Sequence, residues 1–227
     1  MNSILFLVSG GGGSLRFIYN LWKKNILSEI SEIKIIFDRE CEVIEWCKNK
    51  KLKYKVIEVN KNNQKQILKE SLVFNPSLII TNIFKILNED YVKEFKGRCI
   101  NSHWSLLPSF PYHIGQQSII EALKYQEKII GSTVHYVTND CDLGPPISQI
   151  AFGTDPQKDL AYTTDLMFKA SSIALYTSIR KILNSKNKLK NSKVINLAGF
   201  DMIINPYFDF PEIFNSEKFW KEIKDFK

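Results

Sequence analysis

Two polar side chains in the segment INSHWSLLPSF (residues 100–110) have the types and the spacing that acyl-transfer chemistry requires. Asn101 and His103 are two residues apart at the end of an apolar run that predicts a strand, so both side chains project from one side of the backbone. An amide can donate a hydrogen bond to an oxyanion, and an imidazole can carry a proton. The Leu-Leu-Pro that follows cannot continue a regular element, so the strand is predicted to end there.

A second cluster of candidate residues lies in STVHYVTNDCDLGPP, residues 132–146. Asp142 falls in a turn of this cluster, just before a Gly-Pro pair. Such a turn can reach the same space as the first segment, which would bring a carboxylate near the imidazole of His103. A lone histidine is more often structural, and this carboxylate is what favours a chemical role.

A glycine cluster, SGGGGSL at residues 9–15, separates the first predicted strand from the first predicted helix. Glycines let the backbone pass close to a ligand, and the amide hydrogens at a helix N-terminus attract anions. The cluster therefore predicts a phosphate or pyrophosphate site formed by Gly10, Gly11, Gly12, Gly13 and Ser14. The alternative is a plain turn in which Ser14 caps the helix. The spacing differs from the G-x-G-x-x-G of dinucleotide-binding folds.

The elements that must position these residues are predicted from apolar periodicity. Apolar strands alternate with helices up to about residue 102, which indicates a Rossmann-like α/β fold with an open, mostly parallel sheet covered by helices on both faces. Two later strands, separated by turn residues, predict antiparallel pairing at one side of the sheet. The predicted strands are 3–8, 32–37, 54–59, 77–82, 98–102, 129–138 and 146–152, and the predicted helices are 15–24, 43–50, 62–74, 89–95, 115–125 and 158–184.

The topology predicts where a ligand binds. In open parallel sheets, ligands bind at the carboxyl ends of the strands. The loop 9–14, the segment 101–111 and the turn 139–145 all follow the ends of predicted strands. We therefore expect these three segments to contribute to one site.

Composition excludes some classes of function. The 227 residues are 44% hydrophobic and 24% charged, which is typical of a soluble globular protein, and no apolar run approaches the length of a membrane span. No signal sequence is recognised, so a cytoplasmic location is expected. The net charge of +7 is dispersed over lysine-containing segments and favours anionic small substrates over nucleic acid. The four cysteines have no metal-binding spacing, so no metal site is predicted.

The motifs N-x-H-x-S-L-L-P, T-V-H-x-V and D-x-G-P together resemble those of the 10-formyltetrahydrofolate-dependent formyltransferases. Residues 3–184 follow the layout of the glycinamide ribonucleotide transformylases within that family. The resemblance implies 10-formyltetrahydrofolate as co-substrate and a phosphorylated small-molecule amine as acceptor. It also divides the chain into a catalytic domain, residues 1–184, and an aromatic-rich extension, residues 185–227.

The resemblance assigns roles by matching position. Asn101, His103 and Asp142 become the catalytic residues, with Asp142 raising the pKa of His103 and keeping the imidazole cationic. His135 matches a histidine that supports the site, although a purely structural burial fits it equally well. Gly10 to Ser14 would bind the acceptor phosphate, and Trp104, which replaces the proline usual after the histidine, would contact the acceptor. The residues expected to surround the pterin are Phe84, Lys85, Ile86, Leu87, Val92, Val137, Thr138, Asn139, Asp140 and Cys141.

Departures from the glycinamide ribonucleotide enzymes bear on the acceptor. Those enzymes carry a ribose-binding glutamate in the last long helix, where this chain has Ala170, Ser171 and Ser172. The asparagine of their phosphate loop is absent, and Tyr112 replaces a glycine. These changes and the aromatic extension favour a nucleotide-linked amino sugar, such as a 4-amino-4,6-dideoxyhexose on deoxythymidine diphosphate, as in O-antigen and lipopolysaccharide sugar biosynthesis. The alternative is glycinamide ribonucleotide in purine biosynthesis.

Two other classes of protein compete with this interpretation. A non-catalytic folate or nucleotide binder is expected to lack one of the three catalytic residues, and all three are present. A nucleic-acid-binding protein is expected to interleave basic and exposed aromatic residues along one face, whereas most aromatic residues here fall in predicted strands and amphipathic helices. The expected partners are therefore folate and a small amine, without nucleic acid or membrane, and homo-oligomer formation is left open.

Overall fold

The computed structural model describes residues 2–59, 64–184 and 191–225, and the chain forms two compact units. Of the described residues, those within 1–101, 137–139 and 221–227 form the first unit, and those within 102–136 and 140–220 form the second. The domain boundary expected at 184/185 adjoins residues 185–190, which lie outside the described residues, as does most of the basic segment 184–193. That boundary therefore stays a prediction.

The first unit contains a parallel sheet. Its elements are β1 (Asn2–Val8), α1 (Gly13–Lys23), β2 (Ile30–Phe37), α2 (Val43–Asn49), β3 (Lys53–Val56), α3 (Gln64–Phe74), β4 (Leu78–Asn82), α4 (Glu89–Glu94) and the beginning of β5 (Cys99–His103). The strands run in the order β3-β2-β1-β4-β5, with parallel pairing between all neighbours. Ile4 to Val8 are almost completely buried, as expected for a strand that is covered on both faces.

The second unit is antiparallel. It contains α5 (Gln116–Lys124), β6 (Ile129–Tyr136), β7 (Pro146–Gly153), α6 (Leu160–Leu183), β8 (Lys193–Leu197), β9 (Phe200–Asn205), a 3-10 helix (Glu212–Asn215) and the beginning of α7 (Glu217–Lys224). Its strands are ordered β6-β7-β9-β8 with antiparallel pairing throughout. The predicted α/β fold with a mostly parallel, mixed sheet is confirmed.

Strand β3 is shorter than predicted. It ends at Val56, whereas the apolar run continues to Val59. Ile57 and Val59 are buried in the core of the first unit. These residues are apolar because they pack in the core and not because they pair in a strand. Over a few residues, both situations produce the same apolar sequence pattern.

The aromatic-rich C-terminal segment is part of the core of the second unit. Strand β9 pairs with β7, and five of the aromatic side chains in this segment are at most 7% exposed: Tyr207, Phe208, Phe214, Phe219 and Trp220. The rings of Phe214, Phe219 and Trp220 contact one another, and Trp220 also contacts Phe168 of α6. The sequence indicated no strands here, because neither Lys193–Leu197 nor Phe200–Asn205 alternates regularly between apolar and polar residues.

We expect Trp220→Ala to lower the free energy of unfolding by about 3–5 kcal/mol, because it removes a fully buried indole that donates a hydrogen bond to the Phe214 carbonyl. Urea denaturation measures the change. Lys218→Ala, an exposed position on the same helix, serves as the control and should change stability by less than about 0.5 kcal/mol. A loss below about 1 kcal/mol for Trp220→Ala would contradict a core role for this segment.

Candidate active site

A buried cluster of one carboxylate and two imidazoles lies in the second unit. The Asp142 carboxylate lies between them, with Oδ2 3.5 Å from His103 Nδ1 and Oδ1 3.7 Å from His135 Nε2. All three residues are at most 9% exposed. The structure thus brings the predicted His103 and Asp142 together and adds His135 as a second neighbour of the carboxylate.

The loop after β5 holds both members of the predicted pair through its backbone. His103 Nε2 lies 2.9 Å from the Phe110 carbonyl oxygen, and the Tyr112 N–H donates to Asp142 Oδ2 at 2.9 Å. Phe110 and Tyr112 have φ values of 50° and 69°, in the left-handed region that non-glycine residues rarely occupy. This backbone geometry directs a carbonyl and an amide at the two catalytic candidates.

Two hydroxyl groups that the sequence interpretation overlooked support the same segment. Ser132 Oγ donates to the His103 carbonyl at 2.8 Å, and Thr133 Oγ1 donates to the Ser105 carbonyl at 2.8 Å. Both side chains are completely buried in β6. Adjacent small hydroxyl residues in a predicted buried strand are the signal that would have found them, because buried hydroxyls need partners.

The electrostatics of Asp142 favour a permanent carboxylate. Burial alone raises its pKa, but the nearby His135 imidazole, the charge that His103 carries when it is protonated and the Tyr112 N–H outweigh burial and hold the pKa at about 2. This carboxyl group is therefore ionised throughout the neutral range.

The direction of the His103 pKa shift runs against the expectation of a cationic imidazole. Burial lowers the pKa of His103 below its ordinary value of 6.5, and the Asp142 charge and the Phe110 carbonyl offset only part of that effect. The resting imidazole is neutral near pH 7, with Nε2–H donating to Phe110. Nδ1 then carries a lone pair, and a proton received there would face the Asp142 carboxylate. His103 is consequently suited to accept a proton rather than to supply a fixed positive charge.

Asn101 belongs to the first unit. It is half-buried and lies two residues before His103 in β5, paired in register with Thr81 of β4. Trp104, also half-buried, follows β5 directly in the second unit. The positions of these two residues along the strand are as predicted, and their roles stay predictions.

The glycine loop lies in the first unit and does not match the alternative in which Ser14 caps the helix. Helix α1 begins at Gly13 and its N-cap is Gly12, so Ser14 lies inside the helix and does not cap it. Gly12 has a φ of 62°, and a Cβ there would lie 2.8 Å from a Val43 methyl carbon, which explains the need for glycine. No acidic side chain occupies the first turn of α1.

The glycine loop adjoins the first of the predicted pterin-contacting residues. The Phe84 N–H donates to Ser9 Oγ at 2.9 Å, and a Cβ built on Gly10 would lie 3.9 Å from the Phe84 ring. Arg39, which the sequence interpretation missed, has its guanidinium 5.3 Å from the centre of that ring and pairs with Asp38 at 3.0 Å. An ion pair of Arg39 and Asp38 thus lies against the Phe84 ring.

The predicted pterin-contacting residues fall into two groups. Leu87, Val92 and Val137 pack in the core cluster of the first unit, which brings Val137 together with two positions that lie much earlier in the sequence. The first three residues of the 84–87 stretch are exposed, and Gln64 Nε2 donates to the Ile86 carbonyl at 2.9 Å.

The rest of the predicted pterin loop lies around the turn that leads to Asp142. Thr138 and Cys141 are half-buried, whereas Asn139 and Asp140 are exposed. Burial raises the pKa of the Cys141 thiol to about 11, with a further contribution from Asp142, so this thiol is protonated at neutral pH. The contacts of these residues with folate stay a prediction.

The segment Ala170–Ser172 lies in α6 and is buried. Ser171 Oγ lies 2.6 Å from Ser102 Oγ, one residue before His103. The one carboxylate in α6, which is described over its whole length, is Asp165, and its Oδ2 lies 3.3 Å from Lys169 Nζ. Helix α6 therefore presents small hydroxyl groups next to β5.

Metal-binding clusters and membrane-spanning helices are both missing from the part of the chain that the structure describes. In residues 2–59, 64–184 and 191–225, no group of three or more histidine, cysteine, aspartate or glutamate side chains is placed to hold a metal ion. Within the same ranges, no helix combines the length and the apolar character needed to cross a membrane.

This chain is similar to known proteins in sequence and in fold. Residues 2–179 match the family model described as "Formyl transferase". A formyltetrahydrofolate deformylase from Bacillus subtilis is 29% identical over 134 residues, which is 57% of this chain and 44% of that protein. A phosphoribosylglycinamide formyltransferase from Mycobacterium tuberculosis is 27% identical over 152 residues, covering 64% of this chain and 68% of that protein. The chain spans less than half the length of the curated deformylases that it matches.

A solved structure supports the fold independently. Phosphoribosylglycinamide formyltransferase from Anaplasma phagocytophilum superposes with a TM-score of 0.74 at 23% identity, covering 83% of this chain and 90% of that one. At this identity the likeness establishes the fold alone.

Proposed function

The chain belongs to the formyl transferase family, and from this premise we propose that it moves a formyl group from 10-formyltetrahydrofolate to the primary amine of a nucleotide-linked amino sugar. The observation that carries formyl transfer is the buried pair of His103 and Asp142. His103 is the last residue of β5 and lies two residues after Asn101. The relatives named for formyltetrahydrofolate and for formyl transfer support the choice of co-substrate.

The proposed mechanism assigns one task to each residue. The acceptor amine attacks the formyl carbon, and the Asn101 amide donates to the oxyanion that develops. Neutral His103 accepts the proton that the attacking nitrogen loses and returns it to N10 of the departing tetrahydrofolate as the bond between that nitrogen and the formyl carbon breaks. Asp142, ionised at neutral pH, stabilises His103 while it is charged.

Charge near the glycine loop supports an anionic acceptor. The first-turn amides of α1 are suited to a phosphate or a pyrophosphate, whereas the Arg39 guanidinium is already paired with Asp38. Helix α6 lacks a carboxylate at Ala170–Ser172, where the glycinamide ribonucleotide enzymes hold a ribose. The aromatic segment supports the sugar nucleotide less than its composition suggested, because most of its rings are buried in the core. Synthesis of O-antigen or lipopolysaccharide sugars is the proposed setting.

Glycinamide ribonucleotide is the second candidate acceptor. The Mycobacterium tuberculosis relative, matched over 68% of its length, is named for that activity. The named deformylases add a third outcome, in which water accepts the formyl group and formate is released.

Incubation with 10-formyltetrahydrofolate separates these acceptors. We expect tetrahydrofolate formation to depend on a deoxythymidine-diphosphate-linked 4-amino-4,6-dideoxyhexose, with a formylated sugar detected by mass spectrometry. His103→Ala protein is the control for uncatalysed transfer. Turnover of glycinamide ribonucleotide alone would replace the sugar with the second candidate, and formate release independent of any amine would indicate hydrolysis.

A further inference from the structure

Tyr112 combines an unfavourable backbone conformation with a solvent-exposed aromatic side chain beside the buried pair. Its φ of 69° is costly for any residue with a Cβ. The residue is 63% exposed, so burial of the ring does not offset that cost. Unfavourable conformations of this kind cluster at functional sites, and they also occur directly after helices, as at Gln126.

The backbone role of Tyr112 does not need a side chain. Its N–H holds Asp142 Oδ2 at 2.9 Å, and glycine would offer the same N–H in the same conformation without the strain. The tyrosine ring is therefore unexplained by the geometry of the loop. An exposed ring next to a reaction centre offers a flat apolar face and a hydroxyl to a ligand.

We infer that the Tyr112 ring is a specificity-determining contact for the amine acceptor. Relatives in this family are named for different reactions of formyl-group chemistry. Under the proposed function they share the formyl donor and differ in the acceptor. The Tyr112 backbone supports Asp142, which serves the shared chemistry. We therefore assign the Tyr112 side chain to the partner that varies, which is the acceptor. The inference rests on the proposed transfer to an amine, and it assigns Tyr112 to binding a ring of that amine's sugar or base.

Three variants test the inference. Tyr112→Gly keeps the N–H and removes the ring, Tyr112→Phe keeps the ring, and Gln126→Gly is the matched control. Gln126 is also exposed in the second unit and has a φ of 57° at the end of α5. Both glycine variants should raise Tm by about 2–4 °C, because strain is relieved in each.

The kinetic readout separates the two positions. With the deoxythymidine-diphosphate amino sugar as probe, Tyr112→Gly should raise the KM for the amine by about 10-fold, while the KM for the formyl donor stays within about 2-fold of the wild-type value. Tyr112→Phe should restore most of the affinity, and Gln126→Gly should leave both KM values unchanged. An amine KM that changes by less than about 2-fold in Tyr112→Gly overturns the inference.

The outcome remains decisive if the sugar proposal fails. If the wild type turns over only glycinamide ribonucleotide, the same variants are measured with that amine, and the same KM criterion applies. If formate is released without any amine, the inference is overturned, because water offers no ring for Tyr112 to contact.

Discussion

Replacing His103 by alanine is expected to lower kcat by about 10²- to 10⁴-fold, because the variant has no group to carry the proton between the amine and the leaving nitrogen. The imidazole is 5% exposed and contacts the Phe110 carbonyl and the Asp142 carboxylate. The alanine variant loses both contacts. Stopped-flow or coupled assays of tetrahydrofolate formation measure the change.

Asn101→Ala should lower kcat by about 10²- to 10³-fold, because one donor to the oxyanion is removed. In both variants the loss should appear mainly in kcat, with the folate KM close to that of the wild type. His113→Ala is the control, since His113 is the third histidine and its Nδ1 donates to the Pro111 carbonyl of the same loop. If both kcat values stayed within about 3-fold of the wild type, the proposed mechanism would be wrong.

Asp142→Asn is expected to lower kcat by about 10²-fold or more and to shift the acid limb of the pH–rate profile to lower pH. His103 must be neutral to accept a proton, so activity falls as pH drops through its pKa. Asp142 raises that pKa, and the neutral amide no longer does so. If Asp142→Asn changed neither the position nor the height of the pH–rate profile, Asp142 would have only a structural role in its turn. Asp201→Asn, an exposed aspartate of the second unit, serves as the control.

The same substitution has a predictable effect on stability. The pKa of Asp142 is lowered from 3.8 to about 2, so its carboxylate contributes about 2 kcal/mol of stability at neutral pH. Because the folded pKa is the lower one, this contribution is present above pH 3.8 and is lost as pH falls toward 2. The difference in unfolding free energy between wild type and Asp142→Asn should therefore shrink below about pH 4. Urea titrations at several pH values measure it, and a constant difference would contradict the role of the ionised carboxylate.

The sequence by itself determined the parallel α/β core and the positions of the catalytic candidates along it. Continuous apolar runs such as Ile4 to Val8 have one favourable solution, a strand buried on both faces. Periodicity and turn residues report local structure. They therefore located Asn101 and His103, which are two residues apart, and the Gly-Pro turn after Asp142.

The tertiary structure decided what depends on several elements at once. The sequence correctly predicted that Asp142 raises the pKa of His103, but the net shift is downward because desolvation depends on atoms brought in by the surrounding elements. The pairing of β9 with β7, the approach of Arg39 to Phe84 and the left-handed backbone of Tyr112 are likewise long-range outcomes. Each of them arises from packing between residues distant along the chain, where local pattern carries no information.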